Sequence, residues 1–151
     1  TIISRCQTIR FKPYSEKELR EFLEHSNFQN KDLLSETDTL ENLIFISNGS
    51  PGKLEDNIEI WNQIPENIKV DIKCPLKNYE KILLLAKNIT GQLDLNQQEF
   101  LLSYMQRNWW KRTKDKRTIE MLETIKKNIN ANLQTRISWE VGLLKIKHED
   151  F

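Results

Sequence analysis

Glycine and proline are scarce in this chain, four of each in 151 residues. These two residues most often interrupt regular backbone, so the long segments without them are free to stay helical. Within those segments apolar side chains recur every three or four positions, the period of one helix face. The expected fold class is therefore all-α. The exception is Gln7-Thr8-Ile9-Arg10-Phe11-Lys12, which alternates polar and apolar residues and then meets Pro13. That pattern predicts a short strand. A lone strand is not stable by itself, so it is an orphan of a sheet built by residues upstream.

Ser15-Glu16-Lys17-Glu18 has capping-box spacing and opens a first helix carrying Leu19, Phe22 and Leu23. Asp38 and Glu41 repeat that spacing and predict an N-cap before Leu40, Leu43, Ile44 and Ser47. Gly49 closes this second helix as a left-handed residue. Ser50-Pro51 starts a third, with proline at the first helical position, where its missing N–H costs nothing. That helix carries Leu54, Ile58 and Trp61. Asn62 to Pro75 is weakly patterned and marks a boundary. Four longer helical patterns follow. The first runs from Tyr79 through Leu83, Ala86 and Ile89 to a break at Gly91-Gln92. The second carries Phe100, Leu101, Tyr104, Met105 and Trp109. The third carries Leu122, Ile125, Ile129 and Leu133. The last, from about Thr135, has one stripe of Ile137, Val141 and Leu144 and another of Trp139, Leu143 and Ile146. A helix apolar on two faces is expected to be buried on two sides or against a partner.

Charge supports a division. Residues 1–75 hold 9 Lys/Arg and 13 Asp/Glu, whereas residues 76–151 hold 14 and 9. The net charge of +1 over the whole chain does not describe a strongly basic nucleic-acid binder. Mean hydropathy is −0.64, and no apolar run approaches the length of a transmembrane helix. The start has no leader pattern and no Met, which suggests missing upstream residues, and a reducing cytoplasm is the expected setting. Cys6 and Cys74 make no disulfide framework. With His25 and His148 far apart, they also make no four-ligand zinc set, so no metal is expected. Both histidines sit in polar surroundings and read as surface residues. There is no phosphate-binding loop, no H-E-x-x-H and no nucleophile elbow. A small-molecule enzyme is the least favoured class.

The opening residues Thr1-Ile2-Ile3-Ser4-Arg5-Cys6 place an arginine at a turn before the expected strand. Read from the residues alone, Arg5 is a surface arginine with Cys6 buried behind it. The stretch also resembles the Ser-Arg-Cys motif that closes the nucleotide-binding domain of clamp-loader ATPases of the AAA+ family. Asn48-Gly49-Ser50-Pro51-Gly52-Lys53 is similar to that family's lid. Asn132 through Leu144 is similar to the last collar helix of its bacterial members. The resemblance implies that Arg5 is an arginine finger reaching a neighbouring subunit's ATP, with Ser4 and Cys6 setting its turn. Such a finger needs a planar, permanently charged fork, and is worth roughly 10³–10⁵ in rate. ATP and Mg would be bound by neighbouring subunits, and the chain itself would hold no cofactor. Hydrolysing members carry a lid arginine just after the Gly-Ser pair. Here Pro51 and Gly52 occupy that place and Lys53 is the nearest cation, so the lid sensor is degenerate. The pattern is closer to the delta-prime class of subunit than to the gamma/tau motor.

Arg107, Lys111, Arg112, Lys114, Lys116 and Arg117 surround Trp109-Trp110, with Asp115 opposing them. Cations interleaved with aromatic rings hold single-stranded nucleic acid or a partner in some proteins. Elsewhere such runs complement a helix C-terminus and continue through a solvated loop. Trp109 continues the apolar stripe, and Trp110 is the ring without an evident core role.

The expected organisation is thus a remnant of an ATPase domain over residues 1–12, a three-helix lid over 13–62, and a helical collar over 63–151. The collar would assemble a hetero-oligomeric ring, with contacts around Trp139, Leu143 and Ile146. The implied partners are clamp-loader gamma/tau and delta subunits and, through the complex, the sliding clamp and primed DNA. The alternatives are an ATP-hydrolysing gamma/tau-type subunit, or a helical adaptor for protein or nucleic acid in which Arg5 has no role.

Overall fold

The computed structural model describes residues 12–25, 37–131 and 133–148. Among them are eight helices and no strand: α1 (Glu16–His25), α2 (Thr37–Ile46), α3 (Pro51–Gln63), α4 (Glu66–Asp71), α5 (Tyr79–Gln92), α6 (Leu95–Thr113), α7 (Lys116–Asn130) and α8 (Thr135–His148). The expected strand lies outside the described residues except for Lys12, which has no regular structure.

Local chemistry accounts for most helix ends. The Ser15 backbone N–H donates to Glu18 Oε2 at 2.7 Å, and the Glu18 N–H returns to Ser15 Oγ at 3.3 Å, the reciprocal bonds of a capping box. Ser50 Oγ accepts from the Lys53 N–H, with Pro51 opening α3. Asp94 and Gln97 form a second capping box at α6, and Asp115 caps α7 through the N–H groups of Arg117 and Thr118. Gly49 turns the chain between α2 and α3 with φ +78°. A Cβ there would lie 2.6 Å from Pro13 Cβ and 2.8 Å from the Tyr14 carbonyl oxygen. Glycine is therefore required twice over, by conformation and by the incoming chain, whose Tyr14 N–H donates to the Gly49 carbonyl at 2.9 Å.

Three expectations change. Asp38 is not an N-cap: it is the second residue of α2, and it and Glu41 face cations of α6 instead. Asn62 to Pro75 is not a plain connector, because Ile64, Ile68 and Ile72 repeat every four residues and are buried around α4. Leu133 lies past the end of α7 and is exposed.

α6 is the hub. Its neighbours include α2, α3 and α7, and α8 packs against both α5 and α7. Trp61 of α3 meets Tyr104 of α6 with ring centroids 4.4 Å apart. Trp109 Nε1 donates to the Ile72 carbonyl at 2.8 Å, and Asn108 Nδ2 donates to the Lys73 carbonyl at 3.0 Å. These bonds satisfy the polar ends of side chains otherwise locked in the core. Trp139 Nε1 likewise donates to the buried Gln98 Oε1 at 2.9 Å. Gly142 permits the close crossing of α8 on α7, since a Cβ would stand 2.5 Å from Ile125 Cδ1. The buried apolar residues form one cluster from Leu19 to Ile146. No helix among the described residues is long and apolar enough to cross a membrane.

Candidate functional site

α2 ends against the middle of α6, and α6 turns into α7 through Lys114, which takes the left-handed conformation. This arrangement gathers the basic stretch of the sequence at one place and sorts its members into two groups.

The first group is engaged within the chain. Lys111 Nζ donates to Glu41 Oε2 at 2.8 Å and lies 3.5 Å from Asp38. Arg112 reaches Asp38 at 4.0 Å, and its Nε points to Asn108 Oδ1 at 3.5 Å. The Lys111 hydrogen bond, and then its charge, hold the Glu41 carboxyl below its ordinary range. The same bond raises Lys111 above its own. Beneath them Asn42 Nδ2 points to Asn108 Oδ1 at 3.4 Å in a buried contact. Lys116 pairs with Glu120 at 3.2 Å. Of the cations expected to serve an external partner, Lys111 and Arg112 thus tie α6 to α2. Arg117 is exposed, and its backbone N–H completes the Asp115 cap.

The second group lines a groove of about 860 Å³ between α6 and α7, bordered by the end of α2. Its α7 wall is the face spaced at Lys116, Ile119, Glu120, Glu123, Thr124 and Lys127. Phe45, 55% exposed, and Trp110, 40% exposed, stand at this groove. The Arg107 guanidinium lies 3.7 Å from the Phe45 ring centroid, and Lys114 Nζ lies 5.7 Å from that of Trp110. Arg107 Nε is buried without a hydrogen-bond acceptor. Phe45 was not among the candidates read from the sequence. Its signal was available: it falls outside the buried Leu40, Leu43 and Ile44 spacing, and a large apolar residue off the core face is an informative exception.

The remaining candidates are scattered. Arg5, Ser4 and Cys6 lie outside the described residues. Pro51, Gly52 and Lys53 form the first turn of α3, where Gly52 and Lys53 are exposed and a Cβ on Gly52 would meet nothing within 4 Å. Trp139, Leu143 and Ile146 are 0%, 4% and 6% exposed. They fill the chain's own core, so their side chains offer little surface for contact with another subunit. The outward stripe of α8 is the other one, with Ile137 50% and Val141 44% exposed and Leu144 half-buried. His25 is exposed, with Nδ1 2.7 Å from the Glu21 carbonyl oxygen. The His148 side chain lies outside the described residues. Among the described residues no group of three His, Cys, Asp or Glu side chains gathers as a metal site.

The sequence matches the family model described as cyanobacterial DNA polymerase III delta prime, C-terminal domain, over residues 17–146. No curated protein and no solved structure matches it. The match spans all eight helices apart from the terminal residues of α1 and α8, the hub, the α2–α6 contact and the groove alike. The chain belongs to the family of DNA polymerase III delta prime C-terminal domains.

Proposed function

We propose that this chain is the assembly region of a delta-prime-like clamp-loader subunit that offers an arginine finger to a neighbouring subunit. The observation that carries the reading is the family match over residues 17–146, joined to Ser4-Arg5-Cys6 just upstream of it. In this reading α1–α3 serve as the lid and α4–α8 as the collar, and the complex loads a sliding clamp onto primed DNA. The neighbour binds ATP and Mg. Arg5 supplies a charged fork to its phosphate oxygens and stabilises the charge that develops during transfer. Pro51 and Gly52 at the start of α3 leave the lid without a sensor arginine, which suits a subunit that assists hydrolysis and does not perform it. Assembly would use the outward stripe of α8 at Ile137 and Val141. Two exposed β-branched residues one helical turn apart are the kind of surface a neighbouring helix covers.

The test is the DNA-stimulated ATPase of a clamp loader reconstituted with the protein carrying Arg5→Ala. The expected result is intact assembly with a rate lowered by about 10³-fold, the low end for such fingers. An unchanged rate in a fully assembled loader would remove Arg5 from the chemistry.

A further inference from the structure

We propose that the groove between α6 and α7 holds a short stretch of single-stranded DNA. Two rings that the fold leaves exposed, Phe45 and Trp110, stand at one groove although they come from different helices. Arg107 lines the same groove with its guanidinium over the Phe45 ring, and a guanidinium plane is a surface on which an unpaired base stacks as it does on a ring. Arg107, Lys114 and Arg117 are the cations of the stretch that make no ion pair among the described residues. Lys111, Arg112 and Lys116 each have a carboxylate within 4.0 Å. Arg107 lines the groove with its charge uncompensated by a carboxylate among the described residues, and a phosphate oxygen would supply that partner.

The surrounding charge suits a polyanion. From Ser103 to Lys127 the chain carries eight Lys/Arg against three Asp/Glu. The groove's two carboxylates are engaged, Glu120 by Lys116 at 3.2 Å and Glu123 by the Gln106 amide at 3.0 Å. Lys114 and Lys127 make no ion pair among the described residues. Asn48 adds an amide at the groove, and Ser103, Gln106 and Thr124, whose donors are held by Glu99, Glu123 and Glu120, add oxygen acceptors of the kind that meet base edges. An acidic peptide would use the cations but would leave the stacked guanidinium and the amide rim without a flat, polar-edged partner. The groove argument is independent of the clamp-loader reading; the choice of DNA over RNA rests on it.

The experiment titrates this chain, free of other subunits, into fluorescein-labelled dT12 and reads anisotropy. Tryptophan emission is followed with unlabelled dT12. Trp61, Trp109 and Trp139 are buried, so quenching reports Trp110. The expected results are saturable, salt-sensitive binding below about 100 µM, quenching that Trp110→Phe abolishes, and binding weakened about fivefold or more by Arg107→Gln and by Phe45→Ala. Arg136→Gln, at an exposed pair with Glu140, is expected to leave binding unchanged. Absent binding, binding unaffected by Arg107→Gln, equal affinity for a duplex 12-mer, or capture of an acidic peptide in place of dT12 would each overturn the proposal. A U12 strand held more tightly than dT12 would overturn the assignment to DNA. Arg107→Gln and Trp110→Phe keep the test decisive if Phe45→Ala fails to fold. Because no other subunit is present, a negative result leaves the assembly reading standing, and failed assembly leaves this one standing.

Discussion

Lys111 joins two stretches of chain that lie seventy positions apart, through one hydrogen bond to Glu41. Both groups are partly exposed, so the pair contributes modestly, and Lys111→Met is expected to cost about 0.5–1 kcal/mol in urea unfolding. The direction of its pH dependence follows from the shifts. Glu41, Glu18 and Asp115 are all held below their ordinary ranges, by Lys111, Ser15 and Thr118 respectively. Their stabilisation is therefore fully present above the ordinary carboxylate range and is lost as pH falls through the lowered folded values. Lys111 is raised, so its share is present below about 10.5 and is lost as pH climbs through its folded value. Melting temperature is expected to be flat between these limits and to fall on both sides, with Glu41→Gln weakening the acid limb. An acid limb unchanged in Glu41→Gln would detach that carboxyl from stability. Gly49→Ala is expected to destabilise by about 1–3 kcal/mol, because it forces a Cβ into a left-handed turn and against Pro13. A variant melting with the parent would contradict the packing described at that turn.

At the scale of the element, α8 separates two stripes that look alike in sequence. Trp139→Ala is expected to cost about 3–5 kcal/mol, since it empties a fully buried site and orphans Gln98. Val141→Asp is expected to leave the melting temperature within a few degrees of the parent and to abolish association with other subunits. Circular-dichroism melts and sizing of the two variants separate these roles, and a Val141→Asp protein that assembles normally would free that face from the interface. The helices were legible because caps and periodicity are local: Ser15, Ser50, Gly49 and the α6 stripe all stand where their chemistry places them. Which face of α8 turns inward was not legible, since both stripes are apolar and only the partners on α5 and α7 decide between them. α4 escaped notice because three isoleucines spaced by four are a short signal between prolines. Asp38 was misread because a carboxylate in a first helical turn satisfies the same sequence pattern as an N-cap, and its true partners lie on α6.

Across the whole molecule, α6 is pinned to α2 by Asn42 and Lys111 and to the α4–α5 connection by Asn108 and Trp109. The pinning sorts the basic stretch into structural cations and the Arg107 group. That sorting could not be read in advance, because Phe45 and Glu41 lie more than sixty positions upstream of their partners. The family was legible from motifs at both ends of the chain, Ser4-Arg5-Cys6 and Asn132 to Leu144, and its model matches residues 17–146. The central claim is that this helical array joins a clamp-loader ring. The most direct measurement mixes the protein with the gamma/tau and delta subunits of the same source and determines the mass eluting from a sizing column by light scattering. The account predicts one discrete hetero-oligomer containing all three, lost on Val141→Asp. A protein that elutes alone at its own mass, while gamma/tau and delta associate without it, would contradict the account.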